Sequence, residues 1–142
     1  MSVTRVGNKT LAKAIKKWGN DIEKDVKRIV HETAMIIQSE ARARAPENSG
    51  YLRQSINYVM DIDNKGMSAT VTVGADYGIY IEYGTGKYAK NGNGRKDSWV
   101  YFDERLGRFV LTSGQPPQPY WFDSIEVGRK YFIKEMKKLG VR

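Results

Sequence analysis

Cysteine is absent from this chain of 142 residues, and histidine occurs only once, at His31. Without cysteine the chain can form neither disulfide bonds nor cysteine-based zinc sites, and thiolate catalysis is excluded. The pair His31-Glu32 begins like the metal-binding helix of a zinc protease, but Met35 stands where the second histidine ligand would lie one turn later. We therefore expect His31 to be a structural or surface residue.

Long apolar runs are also missing. No segment approaches the roughly 20 apolar residues that a membrane-spanning helix needs, and residues 1–17 lack the apolar centre of a signal peptide. With 40% hydrophobic and 28% charged residues, the composition is that of a globular protein. We expect a single domain, 1–142, that works without a membrane.

Acidic residues are missing from the first 17 positions, which hold five basic residues. Residues 129–142 hold six basic residues and one acidic residue, so the formal net charge of +8 is concentrated at the two ends. Basic ends on a near-neutral centre indicate either contact with an anionic partner, nucleic acid or acidic protein, or solvated lysine-rich helix faces.

Apolar residues repeat every three or four positions along 9–44, which predicts a long first helix. Gly19-Asn20 interrupts the pattern, so one kinked helix or two helices are both compatible with it, and Pro46 ends the element. A helix of this length would span about 50 Å, more than a domain of this size needs, so part of it is expected to pack on a neighbouring subunit. A second stripe of the same period predicts a C-terminal helix over 120–139.

Alternating apolar residues predict strands between the two helices. The segments 52–62 and 67–73 form a first hairpin around a turn, and a second hairpin turns through 104–107. The glycine- and lysine-rich loop 84–98 is predicted to be mobile until a partner orders it. The predicted fold class is α+β, with a long N-terminal helix, an antiparallel sheet of about four strands over 51–112, and a C-terminal helix packed on the sheet.

Three short motifs resemble catalytic or binding sites but lack essential residues. The segment 61–66 begins like a calcium loop but lacks its third oxygen ligand and the closing glutamate. The glycine-rich segment 84–94 is not followed by the Gly-Lys-Ser/Thr that holds nucleotide phosphates. Asp103 and Glu104 are expected to belong to a turn, since neighbouring strand residues point to opposite faces and do not converge. No catalytic, metal or cofactor site is predicted.

Aromatic residues cluster in the middle third of the chain and beyond. Such rings stack bases in single-strand-binding proteins, but they also fill cores and anchor protein interfaces. Because many of them fall in predicted turns rather than on a sheet face, the interface or core interpretation is favoured. The set comprises Tyr77, Tyr80, Tyr83, Tyr88, Trp99, Tyr101, Phe102, Tyr120 and Trp121.

Three short segments carry the most specific signal. Residues 45–56 read APENSGYLRQSI, residues 77–86 read YGIYIEYGTG, and residues 114–122 read GQPPQPYWF. Each alone is common, since proline, glycine and aromatic residues mark many turns. In this order and at these separations they resemble the tail-component family of long-tailed double-stranded-DNA bacteriophages, the neck or tail-completion proteins, over about 41–139.

The resemblance implies a structural protein of the virion neck or tail, present in the host cytoplasm during assembly, without enzymatic activity or cofactor. It implies a ring of copies, most simply a hexamer, around the DNA passage, joining head-closure proteins to the tail tube or its terminator. The assembly interface is then expected to include Tyr80, Glu82, Tyr83, Gly84, Thr85, Lys87, Tyr88, Trp99, Pro119, Tyr120 and Trp121.

The basic residues near both ends have two interpretations. Lysines that line a DNA channel would contact phosphates without reading bases, whereas lysines that dock on neighbouring neck proteins need acidic surfaces there. Two other functions stay open: a basic nucleic-acid-binding module of phage or prophage origin, and a small hydrolase or nuclease with a carboxylate site. The lysines concerned are Lys9, Lys13, Lys16, Lys17, Lys134, Lys137 and Lys138.

Overall fold

A computed structural model of the chain has the predicted α+β class, with a long N-terminal helix, four strands in antiparallel pairs and a C-terminal helix. The structure describes residues 9–46, 50–63, 66–90, 92, 94–104 and 106–140, without the side chains of Lys9 and Leu11. In chain order the elements are α1 (Lys9–Arg44), α2 (Gly50–Gln54), β1 (Ile56–Asp63), β2 (Gly66–Val73), α3 (Gly78–Tyr83), a 3₁₀ turn (Gly86–Tyr88), β3 (Trp99–Asp103), β4 (Arg108–Thr112) and α4 (Phe122–Lys138).

The first helix, α1, is continuous, so the Gly19-Asn20 pair neither ends nor divides it. Among the described residues, nothing lies within 4 Å of the position that a Cβ would take at Gly19. A glycine in an exposed helix costs only about 1 kcal/mol relative to alanine, which a helix of this length tolerates. The helix ends shortly before Pro46, whose ring disfavours helical geometry in the preceding residue.

A short helix, α2, occupies residues where the alternation predicted the start of the first strand. That prediction was wrong for Leu52, because a spacing of four residues from Ile56 suits a helical turn as well as a strand. Both side chains are fully buried. The hydroxyl of Ser55 donates to the backbone C=O of Leu52 (2.7 Å), at the point where α2 gives way to β1. The preceding residues 47–49, part of the first motif segment, lie outside the described residues.

Two arginines connect the end of α1 to the start of β1. The Arg42 guanidinium donates to the C=O of Ile56 (2.8 Å), and the Arg53 guanidinium donates to the C=O of Ala45 (2.9 Å). Carbonyl groups at a helix end lack partners within the helix. Arg53 supplies such a partner at the end of α1, while Arg42, on α1, binds the first residue of β1. Together they fix how β1 begins relative to α1.

The first hairpin joins β1 and β2 in a register that runs from Ile56 opposite Val73 to Asp63 opposite Gly66. The Asp63 carboxylate accepts the N–H of Gly66 (3.0 Å), as expected for a turn. Helix α1 covers one face of this hairpin. The core lies between them and consists of Ala41, Ala45, Leu52, Ile56, Ala75 and Tyr120.

The second hairpin joins β3 and β4 and forms a sheet of its own, so the four strands make two sheets and not one. Its turn is closed by Asp103, whose carboxylate accepts the N–H of Leu106 (3.1 Å) and whose C=O accepts the N–H of Gly107 (2.7 Å). Asp103 therefore belongs to the predicted turn. Among the described residues, no helix or other strand packs extensively on this hairpin.

Helix α4 packs mainly on α1, which in turn covers the first hairpin. The two helices are antiparallel, because Gly128 lies against Ile37 while the later Tyr131 donates its hydroxyl proton to the earlier Glu32. A Cβ at Gly128 would lie 2.4 Å from Ile37 Cγ1, so a glycine at this position lets the two backbones approach closely. The helix runs over Phe122–Lys138, compared with the predicted 120–139.

Helix α1 extends beyond the end of α4. Because α4 ends at Lys138, one to two turns after Tyr131, it reaches only to about residue 25 of α1. Every described side chain from Thr10 to Asp21 is exposed. We call residues 10–21 the free arm; at about 1.5 Å per residue it projects by about 18 Å.

Candidate assembly surface

The second and third motif segments meet in space, although paired residues such as Thr85 and Gln115 are 30 positions apart. We call residues 77–88 and 113–122 together the clasp. The hydroxyl of Thr85 accepts the N–H of Gln115 (2.9 Å). Three backbone hydrogen bonds join the two halves: Thr85 N–H to Gln115 C=O (2.9 Å), Lys87 N–H to Ser113 C=O (3.2 Å) and Gln118 N–H to Ile81 C=O (2.8 Å).

Two glycines permit this close approach. Gly86 and Gly114 have φ angles of +63° and +113°, in the region that side chains other than glycine rarely adopt. A Cβ at Gly86 would lie 2.0 Å from the carbonyl oxygen of Ser113, and a Cβ at Gly114 would lie 2.1 Å from that of Thr85. Larger residues at either position would force the halves of the clasp apart. The first part of the predicted mobile loop 84–98 is therefore held by the clasp.

The buried carboxylate of Glu82 connects α3 to the start of α4. It accepts the backbone N–H of Tyr120 (2.7 Å), Trp121 (2.9 Å) and Phe122 (3.3 Å). The first N–H groups of a helix have no partners within it, and the helix dipole favours a negative charge at this end. Glu82 therefore caps α4 from a different element, and it fixes where α4 begins relative to the second motif segment.

Tyr120 lies in the core beside this cap, and its hydroxyl donates to the C=O of Gly78 (3.0 Å). Burial raises the pKa of Tyr120 from its ordinary value of 10.0 to about 12, with further contributions from the negative charges of Glu82 and Tyr77. The phenol is therefore neutral at physiological pH, and it serves as a hydrogen-bond donor that locks α3 onto the third segment.

An open groove of about 570 Å³ runs between β2 and the clasp. We call it the β2 groove. Exposed Asp76 lines it together with the buried Glu82. The apolar part of its wall is formed by Val71, Val73, Ala75, Tyr83, Trp121 and Phe122.

A second groove, of about 700 Å³, lies on the other side of α3 and is lined by aromatic residues, among them Tyr80, Tyr83 and Trp99. The Arg95 guanidinium lies 5.7 Å from the centre of the Trp99 ring. Aromatic rings beside a cation form surfaces typical of protein interfaces. This groove is suited to binding a protein side chain or segment.

The structure places the eleven predicted interface residues in or beside the clasp, at three depths. The buried ones, which support the surface from within, are Glu82, Gly84 and Tyr120. The half-buried ones are Tyr83, Thr85, Trp99 and Trp121. The exposed ones, which a partner can reach directly, are Tyr80, Lys87, Tyr88 and Pro119.

The described lysines of the two basic ends lie toward the same end of the helix pair. Helix α4 ends beside the part of α1 from which the free arm projects, because the two helices are antiparallel. A basic groove on α4 is formed by four lysines around Ile133. The side chain of Lys9 lies outside the described residues. The other predicted basic residues, all exposed, are Lys13, Lys16 and Lys17 on the free arm and Lys134, Lys137 and Lys138 on α4.

One apolar surface was not predicted from the sequence. It is the outer face of the second hairpin, formed by Val100, Phe102, Phe109 and Leu111, all exposed. The signal was present, because both alternating sets in this hairpin contain apolar residues, which indicates burial on two faces.

The capping role of Glu82 had no signal in the sequence, since its partners lie 38 to 40 positions away.

Among the described residues, no helix is long and apolar enough to cross a membrane. In the same part of the chain, no group of three or more His, Asp or Glu residues is placed to hold a metal ion.

The family described as "Bacteriophage HK97-gp10, putative tail-component" matches residues 9–84, slightly more than half of the chain. This match confirms the predicted resemblance over residues 41–84, which include the first hairpin and α3, and it extends the family back over α1 to residue 9. The third motif segment lies outside the matched range, and Glu82 connects it to the matched part by three hydrogen bonds. No curated protein and no solved structure matches the chain. The chain belongs to the HK97-gp10-like family of bacteriophage tail components.

Proposed function

We propose that this tail component forms a ring at the joint between head and tail of the virion, where it links head-closure proteins to the tail tube or its terminator. The observation that carries the proposal is the free arm, a helical segment whose described side chains are all exposed. A sixfold ring would match the symmetry of a tail tube.

The free arm carries an apolar stripe. Ile15 is 60% exposed and Trp18 is 67% exposed, three positions apart on one side of the helix, and half-buried Ile22 follows one turn later. An apolar stripe on a helix is a surface that packs on something, and here the described part of its own subunit leaves the stripe uncovered. If each copy lays its arm on the next, the contact is heterologous, and a closing rotation between copies makes it a ring.

The clasp supplies the second part of the surface. Tyr80 and Tyr88 are exposed, and Trp121 is half-buried. Large rigid rings bury much area at a small cost in conformational entropy, which makes them effective anchors. Glu82 and the backbone bonds hold the clasp in one arrangement before a partner arrives, so little ordering is needed on binding.

We further propose that the protein acts by binding alone, without catalysis. His31 is exposed on α1, and its Nε2 lies 3.0 Å from the hydroxyl of Tyr58. This pair joins α1 to β1 at the surface. His31→Gln is therefore expected to leave folding and virion assembly intact, and loss of infectivity with normal folding would require a functional role for this histidine.

The ring is tested by cryo-electron microscopy of virions that carry this chain, combined with the double variant Ile15→Ser, Trp18→Ser. We expect cyclic density for the chain at the neck of wild-type particles. The double variant should fold normally, because both side chains are exposed, but it should not enter particles. The matched control is Met35→Ser, which changes an exposed apolar residue on the packed part of the same helix.

Two results would refute the ring. One is absence of the chain from purified wild-type particles. The other is incorporation of the arm variant as efficient as that of the Met35→Ser control.

A second candidate function, binding of nucleic acid, is favoured because the described lysines of both basic ends lie toward the same end of the helix pair. Lysines near phosphates make DNA affinity fall steeply with salt, and an exposed lysine row on α4 fits this role. Charge reversal at Lys134, Lys137 and Lys138 distinguishes the two partners. If these lysines face genomic DNA, rings still assemble while genome retention or ejection fails. If they dock on acidic neck proteins, heads and tails fail to join and high salt imitates the variant.

A further inference from the structure

The second hairpin presents a continuous apolar face to solvent. In its register Val100 lies opposite Leu111 and Phe102 lies opposite Phe109, so all four side chains point to the same side. Phe109 and Leu111 are each 70% exposed. The rings of Phe102 and Phe109 lie 5.2 Å apart, edge to face. Apart from this pair, the face has no cover from the described part of its own subunit.

This face is large for an apolar surface left in water. From the exposed fractions, its four side chains expose on the order of 500 Å² of apolar surface, near the upper end of what monomeric proteins leave uncovered. With exposed Leu106 in the turn added, the hairpin supplies more than half of the roughly 800 Å² that each partner buries in a standard interface. An isolated two-stranded hairpin is also only marginally stable. We therefore expect another surface to cover the hairpin.

A matching acceptor exists on the same chain, at the outer edge of β2. In the antiparallel register the N–H and C=O groups of alternate residues of β2 point toward β1, and on that side the N–H of Gly74, directly after the strand, donates to the C=O of Ser55. The groups of Val71 and Val73 therefore point outward. Among the described residues, none donates to or accepts from these outward groups. The β2 groove runs along this edge, so the edge offers unpaired hydrogen-bonding groups beside an apolar wall.

We propose that the β3–β4 hairpin of one copy of this chain adds its edge to β2 of the next copy, and that Phe109 and Leu111 fill the β2 groove. Strand addition to an open edge supplies backbone hydrogen bonds, while side chains in the groove supply specificity. The contact joins different surfaces of the two copies, so it can repeat from copy to copy as a ring requires. The inference rests on the proposed ring and names one of its interfaces.

Three observations select a second copy as the occupant. The donor hairpin and the acceptor edge are both uncovered in the same chain, and one contact would satisfy both. The apolar area on the hairpin is more than half of what each partner buries in a standard interface. Charges of opposite sign also accompany the two surfaces: Asp76 lines the groove, Arg108 is the neighbour of Phe109 in the chain, and neither has an ion pair among the described residues.

The absence of native cysteine allows a direct test by cross-linking. Thr72→Cys places a thiol on exposed β2 beside the groove, and Leu111→Cys places one on the apolar face. A mixture of the two full-length variants, treated with a short thiol-to-thiol cross-linker, should give a covalent dimer. Each variant alone should give none. Asp61→Cys, exposed on β1, replaces Thr72→Cys as the control and should not cross-link to the hairpin.

A second measurement uses self-association of the purified chain. The double variant Phe109→Ser, Leu111→Ser should associate about a hundredfold more weakly than wild type. Val59→Ser, which removes a strand side chain that is 67% exposed elsewhere, should associate like wild type.

Three results would overturn the inference: no cross-link in the mixture, cross-linking of the hairpin only to a different virion protein, or unchanged association of the hairpin variant. If rings are still seen in particles, only this interface is wrong. If rings are absent as well, the proposed function fails with it.

Discussion

Glu82→Ala is expected to be among the most destabilising single changes in this chain. It removes the acceptor of three backbone N–H groups at the start of α4. Loss of a helix cap costs up to about 2 kcal/mol, and each buried N–H left without a partner costs about 1–3 kcal/mol. The groups of Trp121 and Phe122 lie nearer to solvent and can recover water, so the three losses do not add in full. We expect a decrease of about 3–5 kcal/mol in the free energy of unfolding.

Glu82→Gln separates the shape of the side chain from its charge. The amide oxygen can still accept the N–H groups of Tyr120 and Trp121, whereas the amide nitrogen cannot accept the N–H of Phe122. The interaction of a negative charge with the helix dipole is also lost. The expected decrease is about 1–2 kcal/mol, clearly smaller than for alanine.

Urea denaturation followed by tryptophan fluorescence measures both effects, since Trp121 lies directly at the cap. Glu126→Ala is the matched control, because Glu126 is an exposed carboxylate on the same helix whose partner is the exposed Arg129. The control should unfold like wild type. If Glu82→Ala is as stable as this control, or if glutamine and alanine cost the same, the capping argument is wrong.

Gly128→Ala places a Cβ 2.4 Å from Ile37 at the helix crossing, so thermal denaturation should show a decrease of about 1–3 kcal/mol in the free energy of unfolding. Gly19→Ala, in open space, should increase it by up to about 1 kcal/mol. Equal effects of the two changes would contradict the close packing at Gly128. The part of the stability that the neutral Tyr120 contributes should be fully present below pH 10 and should fall as the pH rises toward about 12. Between these pH values the folded state keeps Tyr120 protonated, whereas the unfolded state loses the proton. Tyr120→Phe should remove that part of the decline, and an unchanged decline in the variant would refute it. Within the loop 84–98, amide exchange of the free protein should be slow where the clasp bonds the backbone and fast beyond it, with slowing on assembly; equal protection in both states would count against the predicted mobility.

The helices and hairpins were predictable because their signals are local. A stripe of period three to four over 36 residues has no competing interpretation, and it outweighed the interruption at Gly19. The prediction failed where the sequence fits both a helical and a strand period. Leu52 suits a strand that begins at that point as well as a helical turn before Ile56. The partition of four strands into two sheets was not predictable, since pairing between hairpins depends on contacts distant in sequence.

The candidate surface was predictable as a set of segments but not as a geometry. Turn residues and aromatic residues marked the two halves of the clasp, and the structure brings those halves together. Their connection depends on one carboxylate, Glu82, whose three partners are far away in sequence. No local pattern distinguishes a glutamate that will cap a distant helix from one that will remain in solvent.

The position of Glu82 links the clasp to the free arm through rigid elements. Its carboxylate fixes the start of α4, α4 lies against α1 at Gly128 and Ile37, and α1 continues directly into the arm. The arm therefore has a fixed direction relative to the clasp, as a subunit needs if its two contact surfaces are to meet the same neighbours in a closed ring. A variant that loosens the cap without unfolding the chain, such as Glu82→Gln, should then weaken assembly more than its modest loss of stability explains. A core variant with the same loss of stability is the comparison. If it and Glu82→Gln weaken assembly equally, the arm and the clasp act independently.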